Sequence, residues 1–140
     1  MKFVGRGPMV IVDASCLYDI LARKHNARRI DVCLATEPDQ AAPHCIDVEV
    51  ISVIRRDFRL GRLDFTAASQ AVHDLRDWRG HRFGHLLLLE RAWELRDNVR
   101  SWDAMYVALA EAFQAPLLMT DERLANAIGP RCSVELFQAP

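Results

Sequence analysis

Short apolar runs alternate with longer stretches of helical periodicity along this chain. The runs Met9–Val12, Pro116–Thr120 and Ser133–Phe137 predict three strands. The first contains only apolar residues, which is typical of a strand buried on both faces of a sheet. Apolar residues at helical spacing predict seven helices between these runs. The helices are expected over residues 15–24, 27–35, 47–60, 66–78, 86–97, 101–113 and 121–128.

Several helix ends are predicted from single residues. Ser15, Thr66 and Ser101 are expected as N-caps, because a hydroxyl can accept a hydrogen bond from the free amides of a first helical turn. The segments 37–43 and 79–85 are predicted as a turn and a polar connection. The apolar residues that recur at helical spacing in the helix over 47–60 are Val48, Ile51, Ile54 and Phe58.

The alternation of strands and helices predicts the fold class α/β. Parallel strands need crossover helices, so we expect a mostly parallel central sheet covered by helices on both faces. A length of 140 residues with 51% hydrophobic content is enough for one domain with its own core. Gly5, Gly7 and Pro8 interrupt regular structure ahead of the first strand. We therefore expect a flexible lead-in over residues 1–8 and a single domain over residues 9–140.

Charge and cysteine content narrow the class of protein. The formal net charge of -1 gives no overall cationic field, so any nucleic-acid site must be local. Four cysteines show no C-x-x-C pair, and only the adjacent His44 and Cys45 approach zinc-type spacing, so reduced thiols are expected. No apolar run approaches the roughly 18 residues that cross a bilayer. A soluble, cytoplasmic protein without membrane association is expected.

Two of the predicted strands run directly into an aspartate. Asp13 follows the first strand and Asp121 follows the second. Ligands bind beyond the carboxyl ends of the strands in open α/β sheets, so both aspartates are expected at the functional edge. Asp103 and Glu49 lie near predicted helix starts, where the helix dipole favours anions. Each acid alone is explained most simply as a cap or first-turn residue.

Four carboxylates in one cleft would require more than capping. Each pair about 4 Å apart would repel by roughly 1 to 4 kcal/mol, depending on the effective dielectric constant. Such a cluster must take up protons or bind a cation. Oxygen ligands without Cys or His select a hard ion, so Mg²⁺ or Mn²⁺ is the expected occupant.

The blocks around these acids resemble the PIN-domain ribonucleases, in particular the VapC toxins of bacterial toxin–antitoxin pairs. The resemblance implies a three-layer α/β/α sandwich and a metal-dependent endoribonuclease toxin that cleaves RNA phosphodiester bonds. It also implies a homodimer and neutralisation by a cognate VapB-type antitoxin. The matching blocks are VDAS with Asp13, APHCIDVEVISVIRR with Pro43 and Glu49, SWDAMYVALAEAF with Asp103, and LLMTDERLANA with Asp121.

The resemblance implies a role for each of the four acids. Asp13, Glu49, Asp103 and Asp121 would form the catalytic site. Asp13 and Asp103 are the first choices for direct ligands of Mg²⁺ or Mn²⁺, whereas Glu49 and Asp121 would bind directly or through water. The ions would activate a water molecule against the phosphodiester.

Three further residues lie beside these acids in the sequence. Ser15 and Thr120 match positions that support the site in the resembled family. Asp47 would either lie beside Glu49 or cap the helix that follows, and the cap is the favoured interpretation.

RNA binding would require cations around the acidic cleft. Arginine grips phosphate and stacks on bases, and two arginine-rich segments are available. A solvated helix face paired with Asp57, Asp64 and Asp77 explains the same residues equally well. The candidates for RNA contacts are Arg55, Arg56, Arg59, Arg79 and Arg82.

Two functions other than catalysis are possible for an α/β domain with these acids. A PIN fold kept only as a binding module usually loses acids from its cleft, and here all four are present. A phosphoacceptor receiver domain should have a paired acid after its first strand and a lysine near its last. Here Asp13 is followed by Ala14, and the only lysines are Lys2 and Lys24. Catalysis is therefore favoured, while the RNA that is cut and the number of metal ions stay open.

Overall fold

The computed structural model of this protein describes residues 9–35 and 39–138. Its strands and helices alternate along the chain as predicted. The strands are β1 (Met9–Val12), β2 (Asp39–Pro43), β3 (His81–Phe83), β4 (Leu117–Met119) and β5 (Val134–Leu136). The α-helices are α1 (Ala14–Leu21), α2 (Ala27–Leu34), α3 (Cys45–Arg59), α4 (Phe65–Asp77), α5 (Leu89–Glu94), α6 (Ser101–Phe113) and α7 (Glu122–Ala125), with a 3-10 turn at Leu86–Leu88.

The five described strands form one sheet with the order β3-β2-β1-β4-β5, in which every neighbouring pair is parallel. Helix α1 packs against α2, α3 and α4, and α5 packs against α6, so the sheet lies between two helical layers. Every residue of β1 and β4 is buried. Parallel strands covered on both faces need apolar residues throughout, which MVIV and LLM provide. The predicted three-layer α/β/α fold is confirmed.

The order of the strands reverses between β1 and β4. The chain adds β2 and β3 on one side of β1, and β4 and β5 on the other. Val12 is in register with Leu118, so the carboxyl ends of β1 and β4 lie side by side. Such a reversal opens a crevice, because the connections leave the two strands in opposite directions. Asp13 and Asp121 follow these two strands and lie at the crevice.

The three predicted strands are confirmed, and two others occur where the sequence predicts none. The expected turn over 37–43 is wrong for its described part, which is β2, and the polar connection over 79–85 contains β3. DQAAP and HRF lack the β-branched residues that mark a strand, so pairing with neighbouring strands decides their structure. The expected lead-in over 1–8 lies outside the described residues, and the single domain over 9–140 stays a prediction.

Two predicted N-caps are wrong by two residues. Asp13, not Ser15, caps α1 and accepts a hydrogen bond of 2.9 Å from the Cys16 amide. Asp64, not Thr66, caps α4 with a bond of 2.7 Å from a backbone amide. In both cases the carboxylate precedes the hydroxyl in the chain. The helix begins at the carboxylate because it is the stronger hydrogen-bond acceptor.

The fifth and sixth helices also differ in detail from the predictions. Ser101 is the first residue of α6, and the N-cap position is Arg100. The helix expected over 86–97 begins as the 3-10 turn and ends at Glu94, followed by turns. None of the described helices is long and apolar enough to pass through a membrane.

Helix α3 is confirmed, but its apolar periodicity does not identify the buried face. Of the four recurring apolar residues only Ile54 is buried, whereas Val48, Ile51 and Phe58 are 60%, 41% and 44% exposed. An apolar stripe therefore remains on the outer side of the helix. The buried residues of α3 are Cys45, Ile46, Val50, Ile54 and Asp57.

A buried carboxylate joins α1 to α3. Asp57 is 3% exposed and accepts a short hydrogen bond from the Tyr18 hydroxyl. Lys24, Arg56 and Arg62 place nitrogens 3.9, 3.4 and 3.5 Å from its carboxylate oxygens. Burial opposes ionisation, but the hydrogen bond from Tyr18 and the charge of Arg56 outweigh it and hold the pKa of Asp57 below its usual value. The ionised carboxylate thus stabilises the contact between the two helices.

Removal of the Tyr18 hydroxyl should destabilise the fold. We expect Tyr18→Phe to lower the free energy of unfolding by about 1 to 3 kcal/mol at pH 7, because a buried carboxylate loses a hydrogen bond. The stabilisation is present above the unfolded-state pKa of about 3.9 and is lost as the pH falls through the lowered folded-state pKa. Urea unfolding at pH 7 and pH 3 measures both effects. A cost at pH 3 as large as that at pH 7 would contradict this account.

Candidate active site

A cleft of about 440 Å³ opens at the carboxyl ends of β1 and β4. It brings together the four acids that the sequence places far apart. Backbone order at the switch point, rather than proximity in sequence, explains their meeting. Its charged lining residues are Asp13, Glu49, Asp103, Asp121 and Arg100, and the remainder are Ala14, Ser15, Val48, Ser52, Val53, Trp102 and Tyr106.

Asp13 is fixed at the floor of the cleft by its own helix. Its Oδ1 accepts hydrogen bonds from the Ser15 hydroxyl at 2.6 Å and the Cys16 amide at 2.9 Å. The Ser15 hydroxyl in turn accepts a bond of 3.2 Å from the Thr120 amide. Ser15 therefore ties the end of β1 to the end of β4. Both residues expected to support the site make the contact that links its two strands.

Glu49 reaches the cleft from α3. Its Oε1 accepts a hydrogen bond of 3.0 Å from Tyr106, whose ring is buried on α6. Burial raises the pKa of Glu49, while hydrogen bonds from Tyr106 and Cys45 oppose this rise. Tyr106 is not among the site residues predicted from the sequence. Its position three residues after Asp103, on the same face of a helix, is the signal that points to it.

Asp103 and Asp121 share one cation. Arg100 donates through Nε and Nη2 to Asp103 Oδ2 at 3.2 and 3.1 Å, and its Nη2 lies 3.6 Å from Asp121 Oδ2. Asp121 also caps α7 by accepting a 2.9 Å bond from the Arg123 amide. Asp103 lies in the first turn of α6, as the sequence predicts. Each of these carboxylates thus has a cap or first-turn position as well as a place in the cleft.

The four acids interact electrostatically through Asp103. Its negative charge raises the pKa of both Asp13 and Glu49, and the charge of Asp121 raises the pKa of Asp103 itself. Burial is the larger cause in all three cases, and it raises the pKa of Asp13 to about 7. Burial and mutual repulsion make ionisation of these carboxyls costly. A cation that enters the cleft offsets this cost and is therefore favoured.

The chemistry of this donor set fits a hard divalent cation. The acids supply oxygen ligands, and Mg²⁺ is commonly held by one or two carboxylates with waters completing the shell. Among residues 9–35 and 39–138, no group of three or more His, Cys, Asp or Glu side chains is placed to hold a metal ion. The fit therefore rests on the oxygen chemistry of the four acids.

None of the arginines proposed for RNA contacts lines this cleft. Arg82 donates to Asp47 and to the backbone oxygens of Leu75 and Trp78, so its guanidinium is held within the fold. Arg56 pairs with Asp57. Arg55, Arg59 and Arg79 are exposed.

Arg100 is the cation in the cleft that the sequence analysis missed. Its spacing of three residues before Asp103, across a helix start, is the signal that indicates it.

The predicted cap role of Asp47 is wrong. Helix α3 begins at Cys45 with His44 at the N-cap position, so Asp47 lies inside the first turn. Its carboxylate binds the Arg82 guanidinium in a bidentate pair, with Nε–Oδ2 and Nη2–Oδ1 distances of 2.8 and 2.9 Å. Because β2 ends immediately before α3 and pairs with β3, Arg82 lies within reach of this turn. Asp47 is not among the residues that line the cleft.

This chain is similar to known proteins in both sequence and fold. The model of the PIN domain family matches residues 10–129. Ribonuclease VapC3 of Mycobacterium tuberculosis is 42% identical over 84% of this chain and 86% of its own length. Ribonuclease VapC1 of the same organism is 38% identical over 91% of this chain and 97% of its own length. A toxin–antitoxin complex from Klebsiella pneumoniae contains a chain with a TM-score of 0.63 at 17% identity, covering 93% of this chain and 99% of that one.

Replacement of Asp13 by Asn should stabilise the metal-free protein at high pH. The folded-state pKa of about 7 lies above the unfolded-state value, so stability falls as the pH rises from about 4 to 7. Asn cannot ionise and still caps a helix. We expect the free energy of unfolding of Asp13→Asn to exceed that of the wild type by roughly 1 to 4 kcal/mol at pH 8. At pH 4 the two free energies should differ little. Urea unfolding in EDTA measures this difference. If the free energy of unfolding changed with pH in the same way in both proteins, the raised pKa of Asp13 would be contradicted.

Proposed function

We propose, from the premise that this chain belongs to the PIN-domain family and to its VapC ribonucleases, that it is a metal-dependent endoribonuclease that acts as a toxin. The observation that carries the proposal is the meeting of Asp13, Glu49, Asp103 and Asp121 in one cleft at the strand-order reversal. Family membership disfavours the receiver-domain alternative. The silent binding module becomes one outcome of a cleavage assay.

The proposed roles of the acids are those that membership of the family implies. Asp13 and Asp103 would be the direct ligands of Mg²⁺ or Mn²⁺, and Glu49 and Asp121 would bind directly or through water. The cation, when bound, supplies activation of a water molecule and neutralisation of charge on the phosphodiester. Ser15 keeps Asp13 oriented by donating to its Oδ1.

Residues around the acids support this arrangement. Tyr106 orients Glu49 in the same way that Ser15 orients Asp13. The Thr120 amide binds the Ser15 hydroxyl and so keeps the ends of β1 and β4 together. Fixed carboxylates lower the cost of ordering a metal shell, because their rotamers are already restricted by hydrogen bonds.

The proposed substrate is RNA with an accessible single-stranded segment. Exposed arginines on and after α3 and α4 are available to phosphates outside the cleft, and Arg55, Arg59 and Arg79 remain the candidates. Arg56 and Arg82 would first have to exchange the carboxylate partners that they hold. Trp102, 55% exposed in the cleft lining, offers a ring on which an unstacked base can lie.

Cleavage of RNA is tested on total cellular RNA with purified protein in Mg²⁺ or Mn²⁺. We expect Asp103→Asn to reduce the cleavage rate more than about 100-fold, because an acid proposed to bind the ion directly is lost. EDTA should abolish cleavage by the wild type. The matched control is Asp97→Asn, which removes an acid of 80% exposed side chain outside the cleft and should cleave as the wild type does. Equal cleavage by both variants and in EDTA would refute a metal-dependent site, and absence of cleavage by the wild type would leave a binding module.

The proposed partners are a VapB-type antitoxin and a second copy of this chain. Val48 and Ile51 form an exposed apolar stripe on α3, and Val48 also lines the cleft, so a partner on this stripe would block entry to the acids. Exposed apolar patches of this kind mark interaction surfaces. A second patch offers a surface for a homodimer. It consists of Leu86, Leu87, Leu89 and Trp93, which are 80%, 68%, 49% and 68% exposed.

Growth of a bacterial host tests toxicity and the antitoxin surface together. Expression of the wild type should arrest growth, and co-expression of its cognate antitoxin should relieve the arrest. We expect Ile51→Glu to arrest growth even with the antitoxin, because a charge on the α3 stripe disfavours apolar docking. The control is Val32→Glu on α2, an apolar position that is 66% exposed against 41% for Ile51, and this variant should remain neutralised. Full neutralisation of Ile51→Glu would place the antitoxin elsewhere, and growth with wild type alone would refute the toxin.

The proposed location is the cytoplasm. The proposed RNA substrate is found there.

A further inference from the structure

Arg100 carries the one positive charge among the described residues that line the cleft. Its guanidinium turns back from the N-cap position of α6 onto Asp103 Oδ2, and it lies 3.6 Å from Asp121 Oδ2. The Arg100 side chain is 69% exposed, whereas those of Asp103 and Asp121 are 21% and 30% exposed. A solvent-facing cation thus covers two partly buried anions.

A divalent cation in the cleft would need these same oxygens. Mg²⁺ binds carboxylate oxygens at about 2.0 to 2.1 Å, and a guanidinium hydrogen-bonded to Asp103 Oδ2 restricts the approach of the ion to that oxygen. Two positive charges at one pair of carboxylates also repel each other. Because most of the Arg100 side chain faces solvent, it can rotate away from the acids without loss of core packing.

We propose that Arg100 is an internal competitor of the metal ion, neutralising Asp103 and Asp121 when the cleft is metal-free and leaving them when a divalent cation binds. The inference rests on the proposed function, since it requires that the cleft takes such a cation. It adds that the metal-free cleft is neutralised from within, and that metal affinity is set partly by a residue that is not a ligand.

Release gives the guanidinium a second use. Arg100 precedes α6 directly, so after rotation it remains at the rim of the cleft. A guanidinium there can donate two parallel hydrogen bonds to a phosphate of the RNA. Loss of Arg100 is therefore expected to tighten metal binding and to weaken RNA binding, a pair of opposite effects that a merely structural residue would not produce.

Binding of Mn²⁺ to EDTA-stripped protein, measured by isothermal titration calorimetry at low ionic strength, tests the competition. We expect Arg100→Gln to bind Mn²⁺ about 1.5- to fivefold more tightly than the wild type, the range expected for loss of an exposed ion pair. The matched control is Arg96→Gln, which removes the same charge from an exposed arginine outside the cleft. It should bind Mn²⁺ with wild-type affinity.

Thermal unfolding of the same samples checks the folded state. Metal-free Arg100→Gln should melt below Arg96→Gln, because Asp103 loses its counter-ion and Asp121 keeps only Arg123, whose Nε lies 3.7 Å from Asp121 Oδ1. Mn²⁺ should raise the melting temperature of Arg100→Gln by the larger amount. Mn²⁺ affinity of Arg100→Gln equal to or weaker than that of the wild type would overturn the proposed role of Arg100 alone. Absence of Mn²⁺ binding by every protein in the series would overturn it together with the metal site.

Discussion

The concentration of negative charge at the end of β1 and β4 is the constraint on which the site depends. Burial raises the pKa of both Asp13 and Glu49, and the charge of Asp103 adds a smaller increase to each. A fold that gathers carboxylates in this way must supply hydrogen bonds, protons or a cation. The chain supplies hydroxyls at Ser15 and Tyr106 and a guanidinium at Arg100. The balance among these partners and a metal ion then determines what the cleft can bind.

The architecture determines where this charge collects. Reversal of strand order beside β1 opens the crevice, and the Ser15 hydroxyl bridges the two strand ends by binding both Asp13 and the Thr120 amide. Three of the acids, Asp13, Asp103 and Asp121, also have a cap or first-turn position, for example Asp13 as the N-cap of α1. The same hydrogen bonds therefore stabilise helix starts and orient the site. Substitution of these acids consequently affects folding and chemistry together, which is why stability and activity need separate measurement.

Much of this could be predicted from the sequence because the relevant signals are local. The buried strands β1 and β4 are apolar throughout, and the acids follow them directly. Strands β2 and β3 could not be predicted, since DQAAP and HRF become strands only through pairing with neighbours. The exposure of the apolar stripe on α3 could not be predicted either. Periodicity shows that a helix has an apolar face but not which neighbour covers it.

The same distinction between local and long-range signals applies to the prediction of the site residues. The acids were recognisable from their positions after strands and at helix starts. Asp47 was assigned to a helix cap, because its actual partner, Arg82, is 35 residues away in sequence and comes close only through the pairing of β2 with β3. Arg100 was missed for a different reason. The arginine-rich segments of the sequence lie elsewhere, whereas Arg100 stands alone at a helix start.

The central claim is that these four acids hold a divalent cation. Anomalous X-ray scattering from a crystal of the wild-type chain soaked in Mn²⁺ tests it most directly. The account predicts a manganese peak in the cleft, in direct contact with carboxylate oxygens of Asp13 and Asp103, with the Arg100 guanidinium turned away. A well-ordered cleft without a manganese peak, with Arg100 still bound to Asp103, would contradict it.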